Sequence, residues 1–388
     1  MTEKLYDQNS YIEEFDCKVI SLYKESGDLY IETDRTAFFP EGGGQLSDTG
    51  YLGNLYVKDV QNKCGKIFHI VENYEENVEN LEIGTVLHGK IDMKRRFSFM
   101  QQHSGEHIFS GIVHKLYGYD NVGFHLGLET VTLDFNGVLE YDDVCKVETL
   151  VNEAVWKNLE IKAFYPSEEE LASIDYRSKK EIDEALRLVE IPGVDICACC
   201  APHVKTTGEI GIIEVVSFEK YKGGTRLSIL CGDRALKDIR KKLDQNKQIG
   251  NLLSAKETET FAMVQKVKND CGKLNFELGA ARLENLRLKA EQIEESEKIV
   301  VFCSLSDTAS LREYADILSH KAKLFVAAFG GSDDDYKYVI ITQSDYNVSS
   351  LCKELNSRFS GRGGGRGNIV QGSLKGSEKE INSFFSEK

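Results

Sequence analysis

At 388 residues the chain is too long for one small hydrophobic core, so two to four domains are expected. Its apolar content of 41% fits a globular fold, and no apolar run approaches the roughly 20 residues of a membrane span. A formal net charge of −15 argues, taken as a whole, against nucleic-acid binding, because neutralising phosphates needs Lys and Arg.

The N-terminus, Met1-Thr2-Glu3-Lys4, is polar and has no signal-peptide core, which makes a soluble cytoplasmic protein the default expectation. Residues 1–90 alternate apolar and polar side chains between Gly and Asp turns. Strands are predicted over 17–23, 29–33 and 66–71, and the pattern suggests a small, mostly antiparallel barrel or sandwich. Within it lies Phe39-Pro40-Glu41-Gly42-Gly43-Gly44-Gln45. No Lys-Ser/Thr follows, so this is not a P-loop. Either it is a flexible hairpin turn or its backbone approaches a ligand closely, with Gln45 supplying an amide and Thr36 a hydroxyl to the same pocket. An acidic run, with Glu72, Glu75, Glu76, Glu79 and Glu82, closes this part.

Residues 91–233 read as an α+β block. From Asp92 to Tyr117 the period is helical, with Phe97, Met100, Ile108, Ile112, Val113 and Leu116 sharing one side and Gly118 as the stop. A strand follows at 131–135, then a helix capped by Asp142, a strand at 161–165 and a capping box at Ser167-Glu168-Glu169-Glu170. Further strands are expected at 186–191, 211–218 and 225–231. Residues 234–298 contain no Pro and read as one long helix or a helical hairpin, a spacer or dimer arm whose likeliest bend is Asn269 to Gly272. Residues 299–388 alternate strand and helix as a small α/β domain. It contains Gly361-Arg362-Gly363-Gly364-Gly365-Arg366-Gly367, read as an ordered loop whose N–H groups and arginines could meet phosphate.

The basic residues gather beside the motifs. Lys94-Arg95-Arg96 opens the first helix, Lys205, Lys220, Lys222 and Arg226 follow a cysteine cluster, and Arg358, Arg362 and Arg366 surround the glycine run. From charge alone the bland reading is a solvated surface.

His103 and His107, four residues apart on that helix, project from one side as two ligands of a tetrahedral metal must. Ser104 stands where a zinc protease needs its general-base Glu, which makes a metalloprotease unlikely. The ten cysteines show no compact disulfide framework, and most are expected to be reduced core residues. The exception is Cys197-Ala198-Cys199-Cys200-Ala201-Pro202-His203. Cys199 and His203 offer a second ligand pair, with Cys197 and Cys200 as rival thiolates. Mixed Cys/His donors make zinc the natural ion, one Zn²⁺ per chain.

These residues carry a resemblance along nearly the whole chain. Asp34 to Gln45 and Ser47 to Gly50, Met100 to His107, Cys199 to His203, Thr207 to Gly211, Lys222 to Arg226, Cys231 to Leu236 and Phe359 to Gly372 resemble, in order, the motifs of the long-form freestanding alanyl-tRNA editing proteins. These are relatives of the editing half of alanyl-tRNA synthetase, and the last segment is similar to the end of a DHHA1 domain.

The resemblance implies a trans-editing aminoacyl-tRNA deacylase. Its substrate would be Ser-tRNA(Ala), and perhaps Gly-tRNA(Ala), already released by the synthetase, since the chain is too short to hold the aminoacylation domain beside these parts. His103, His107, Cys199 and His203 would hold zinc. Thr36 would sense the serine hydroxyl, and Gln45 with Gly42 to Gly44 would line the pocket. The C-terminal domain would bind tRNA and form a homodimer. The family loop is usually Cys-Gly-Gly-Thr-His, so Cys200, Ala201 and Pro202 depart from it while ligand spacing is kept. The rival reading is a zinc-stabilised tRNA-binding or regulatory module without hydrolysis.

Overall fold

The computed structural model describes residues 2–72, 81–178, 186–305 and 307–387. Of the acidic run, Glu75, Glu76 and Glu79 lie outside the described residues. The chain is mixed α and β and divides into two compact units, Met1–Gln248 and Ile249–Lys388.

The first unit begins with strands β1 (Glu14–Glu25), β2 (Asp28–Thr33), β3 (Gly50–Leu52), β4 (Leu55–Lys63), β5 (Lys66–Val71) and β6 (Val86–Ile91). They pair in the order β1-β2-β5-β4-β3-β6, and β6 returns to β1, so the ring closes and every strand has two neighbours. Period-two alternation drives this closure. On β1, Phe15, Cys17 and Val19 are buried while Asp16 and Lys18 are exposed. The inward row meets Ile31, Val57, Val60 and Ile67 in one core.

Helix α1 (Met93–Tyr117) follows. The Asp92 carboxylate caps it by accepting from the Arg95 N–H at 3.0 Å, and Gly118 ends it in the left-handed conformation. Every residue from Phe99 to Val113 is buried. The expected one-sided apolar stripe is therefore corrected: α1 is enclosed on all sides, and Leu116, assigned to the stripe, is exposed. Strands β7 (Asn121–Leu126), β8 (Val131–Phe135), β12 (Ile213–Tyr221) and β13 (Gly224–Cys231) make a sheet in the order β12-β13-β8-β7 against it. Close approach is possible because position 105 is glycine: a Cβ there would lie 2.3 Å from Cys231 Sγ. Helix α2 (Tyr141–Trp156) packs beside α1, and its N-cap is Glu140, with Asp143 completing a capping box, rather than Asp142. A small sheet of β9 (Lys162–Phe164), β10 (Leu188–Ile191) and β11 (Asp195–Ala198) delivers the cysteine loop. The Ser167 capping box is present but opens only a single turn, Glu168–Leu171.

Polar groups enclosed with α1 are paired. The Gln102 side chain donates to the Cys231 carbonyl and accepts from its N–H, both at 2.8 Å. Arg96 and Asp48, each fully buried, form an ion pair. The Arg96 guanidinium also donates to the carbonyls of Ser10 at 2.9 Å and Ala37 at 2.6 Å. Asp48 in turn accepts from the Phe39 N–H at 2.6 Å. One buried pair thus ties the N-terminal segment, the 36–40 strand exit and the glycine motif to α1.

Helix α3 (Gly232–Leu253) is separated from α4 (Thr260–Glu291) by Ser254, at φ 52°, and a tight turn at Glu257–Glu259. The expected bend at Asn269 to Gly272 is corrected: those residues lie inside the unbroken α4. The second unit continues with β14 (Ser296–Cys303), α5 (Thr308–Ser319), β15 (Ala322–Ser332), β16 (Asp335–Ile341), α6 (Val348–Arg358), β17 (Arg362–Gly364), β18 (Ile369–Leu374) and α7 (Glu378–Ser386). The sheet order is β14-β15-β16-β18-β17; within it β14 and β15 run parallel and the other described pairs antiparallel. Part of the glycine run, expected as a loop, is the edge strand β17.

Breaking a buried ion pair by removing one partner leaves an uncompensated charge, which costs about 3–5 kcal/mol. Asp48→Ala is expected to destabilise the first unit by that order, and Asp48→Leu combined with Arg96→Met to recover much of it. Urea unfolding followed by far-UV circular dichroism reads the effect.

Candidate metal centre

His103 and His107 leave α1 one turn apart, with ring centroids 5.4 Å from each other. The loop after β11 brings His203 to 4.9 Å from the first ring and 4.7 Å from the second. Cys199 Sγ lies 3.4 Å from Nε2 of His103 and 3.4 Å from Nε2 of His203. One donor atom from each of the four residues falls within 4.8 Å of all the others. A tetrahedral zinc with ordinary Zn–S and Zn–N bonds would separate sulfur from nitrogen by about 3.5 Å. The donor set and its spacing fit that ion.

Each imidazole is oriented through its other nitrogen, as metal-binding histidines are. His103 Nδ1 faces Gln45 Oε1 at 3.0 Å, His107 Nδ1 faces Asp195 Oδ2 at 3.0 Å, and His203 Nδ1 faces Ser104 Oγ at 2.9 Å. Carbonyl and carboxylate oxygens accept, so His103 and His107 carry their proton on Nδ1 and turn a lone pair inward. Asp195 also receives Arg177 through Nε at 2.7 Å and Nη2 at 2.9 Å. Burial pushes the Asp195 carboxyl up, but its hydrogen bonds from His107 and Arg177 outweigh this and hold it below the ordinary carboxylate value. Burial, and next the adjacent Cys200, pushes the Cys199 thiol up to about 12. A cation among the four donors is what would favour its thiolate.

The rival thiols are placed differently. Cys197 is buried on β11 in a second group with Asp195 and His107. Arg177 already occupies both oxygens of that Asp195, so a cation there would face a fixed positive charge. Cys200 is exposed, and its sulfur faces the glycine loop, 3.6 Å from where a Cβ on Gly43 would stand.

That loop closes over the cluster. At Gly44, with φ 81°, a Cβ would lie 2.6 Å from the Phe124 ring, whose centroid is 5.0 Å from that of His103. Gln45 is fully buried. Its Oε1 is engaged by His103, while its Nε2 has no hydrogen-bond partner among the described residues. Thr36 is buried at the end of the barrel, with Oγ1 2.7 Å from His69 Nε2 and accepting from the Phe38 N–H at 3.0 Å. His69 Nδ1 faces the Ile31 carbonyl at 3.0 Å, so it is the donor, and Nε2 accepts the Thr36 proton. Arg362 and Arg366 belong to the second unit and are exposed there.

A family model described as the threonyl and alanyl tRNA synthetase second additional domain matches residues 186–228, and the DHHA1 domain matches 296–387. Alanyl-tRNA editing protein AlaX-M of Saccharolobus solfataricus is 37% identical over 241 residues, covering 58% of this chain and 98% of that protein. The chain belongs to the alanyl-tRNA editing protein family. AlaX-L of Pyrococcus horikoshii is 28% identical across all of this chain and 98% of its own length. The alanine–tRNA ligase of Pyrococcus furiosus is 29% identical over 97% of this chain, which spans 42% of that ligase.

Asp195, Arg177 and His69 carried no signal in the sequence, because each acts on a candidate residue brought near only by the fold. His69 lends itself to a test. Burial lowers its pKa from the ordinary 6.5 to about 4, so between those values the unfolded chain binds more protons than the native one. The stability is fully present above about pH 6.5 and is lost as pH falls toward 4. Urea unfolding should show about 2 kcal/mol lost between pH 7 and pH 5, and His69→Gln should remove most of that pH-linked loss.

Proposed function

We propose that this protein hydrolyses the ester of mischarged Ser-tRNA(Ala), and of Gly-tRNA(Ala), in trans. The observation that carries the reading is the convergence of three imidazoles and one thiol under a glycine motif, in a chain aligned over 98% of an alanyl-tRNA editing protein. That alignment, with a relative named for alanyl-tRNA editing, supports action in trans. The assigned ligands are His103, His107, Cys199 and His203, and zinc is the proposed ion, on donor chemistry and spacing. Bound there, zinc would supply positive charge that orients the aminoacyl group and polarises its carbonyl.

The chain's own groups have separable tasks. Gln45 holds the His103 tautomer through Oε1, which leaves Nε2 as a buried donor for the oxygen that gains charge as water adds to the ester. Thr36 has given its proton to His69 and accepted one from Phe38, so what it retains is acceptor capacity. It suits a substrate hydroxyl that donates, which serine has and alanine lacks. A site built to bond a hydroxyl rejects the analogue without it strongly, and so spares Ala-tRNA(Ala). Gly42 to Gly44 would admit the acyl end past their backbone. The proposed role of the second unit is to hold tRNA(Ala), with Arg362 and Arg366 on its exposed edge, and to pair two chains.

Purified protein is expected to release serine from Ser-tRNA(Ala) and to leave Ala-tRNA(Ala) largely intact. Binding of tRNA without release would refute the hydrolase and leave a binding module. Metal analysis should find about one zinc per chain, lost in Cys199→Ala but kept in Cys200→Ala and Cys197→Ala; zinc retained in Cys199→Ala would overturn the ligand assignment. Gln45→Leu should lower kcat by about 10²–10³. Thr36→Val should narrow the rate ratio between the seryl and alanyl esters, and an unchanged ratio would exclude its sensing role.

A further inference from the structure

At the start of α1 two arginines lie against one ring. Arg95 places its guanidinium carbon 4.6 Å from the Phe99 centroid, and Arg234, on the first turn of α3, places its own at 5.2 Å. Each guanidinium is held by neutral acceptors. Arg95 donates to the Ser47 carbonyl through Nε at 3.4 Å and Nη2 at 3.3 Å. Arg234 donates to Ser98 Oγ at 3.0 Å and to the Gly127 carbonyl at 2.9 Å. Neither has a carboxylate partner among the described residues. The carboxylates close to them in sequence are engaged: Asp92 caps the Arg95 N–H, and Asp233 pairs with Lys237.

Two half-exposed like charges around a single ring repel each other, and this costs free energy unless an anion joins them. Burial, and with it the positive charge of Arg95, lowers the Arg234 pKa. The acceptors also locate the pair. Ser47 lies two residues beyond Gln45, Gly127 follows the Leu126 that bridges Gln45, and Ser98 stands on the helix that carries His103. Along α1 the eight positions from Arg95 to His103 span about 12 Å. A nucleic-acid strand advances about 3.4 Å per nucleotide, so the pair stands two to four nucleotides from the four-donor cluster.

We propose that Arg95 and Arg234 form a phosphodiester clamp for the 3′-terminal strand of the tRNA. The proposal rests on the reading of the cluster as the site that receives the tRNA ester. Planar guanidiniums match phosphate oxygens in pairs, and the Phe99 ring keeps both forks in place before the strand arrives. The clamp answers how a chain with net charge −15 holds a polyanion: two cations beside the site act at short range, whereas exposed charges more than about 10 Å away are screened.

The test compares full-length Arg95→Gln, Arg234→Gln and the double variant on two substrates: Ser-tRNA(Ala), and the serine ester of adenosine, which has no phosphodiester. For the tRNA, KM should rise about tenfold per arginine with kcat held within about twofold. The slope of log KM against log salt should flatten by about 0.7 in the double variant, as expected for one lost phosphate contact on a single strand. Rates on the adenosine ester should not change. Unaltered KM and salt slope would overturn the clamp, and so would equal losses on both substrates, which would mean a merely structural role. If wild-type protein binds tRNA but cleaves neither ester, the hydrolase reading fails, and the salt slope of tRNA binding in the same variants still decides the clamp. Should a glutamine variant not fold, by far-UV circular dichroism, Arg→Lys at that position is read in its place for a severalfold rise in KM.

Discussion

The pairing of Arg96 with Asp48 is the constraint around which the first unit is arranged. Neither group touches water, so each must find its full set of partners inside. Arg96 meets this by gathering the carbonyls of Ser10 and Ala37, and Asp48 by gripping Phe39. The pair therefore sets where the barrel's exit strand, the glycine motif and α1 meet. Gln45 lies three residues before Asp48, and His103 two turns beyond Arg96. The ion pair joins the two backbone segments that carry Gln45 and His103, whose side chains meet at 3.0 Å.

The same need explains the enclosed helix. Glutamines, histidines, serines and a glutamate are wrapped on all sides of α1, and the cost is offset only where each has a specific partner. Gln102 is matched by both backbone groups of Cys231, and Ser110 and Asn121 both donate to Glu106 Oε1. The histidines are oriented from behind in three chemically distinct ways, by an amide, a carboxylate and a hydroxyl. The cluster is thus a polar core whose four inward donors could hold a metal ion.

Much of this was legible in the chain. Period-two alternation located three of the six barrel strands, β1, β2 and β5, and the turn chemistry of Asp92 and Gly118 bounded α1. Ligand spacing singled out His103 with His107 and Cys199 with His203, leaving Cys197 and Cys200 as rival thiolates, and the first four converge. What failed did so for physical reasons. The apolar stripe on α1 was misread because a helix buried all round by paired polar groups has no single face to detect. The helical break was sought at Asn269 to Gly272, yet it occurs at Ser254, where one residue takes a positive φ and neither Pro nor Gly stands at that position. The arginine–glycine run read as a loop because glycine has low strand propensity, although pairing with β18 makes its first residues an edge strand. Asp195, Arg177 and His69 were invisible because their roles exist only across long sequence separations.

The four donors come from two stretches about 90 residues apart, one on α1 and one on the loop after β11. Joining them closes a long covalent ring, and the entropy of such closure grows only with the logarithm of ring length, about 0.6 kcal/mol per doubling. The intervening chain is thus nearly free to lengthen or shorten at its surface turns without disturbing the cluster. Lineages of this architecture can remodel what lies between α1 and β10 while the pocket chemistry stays fixed.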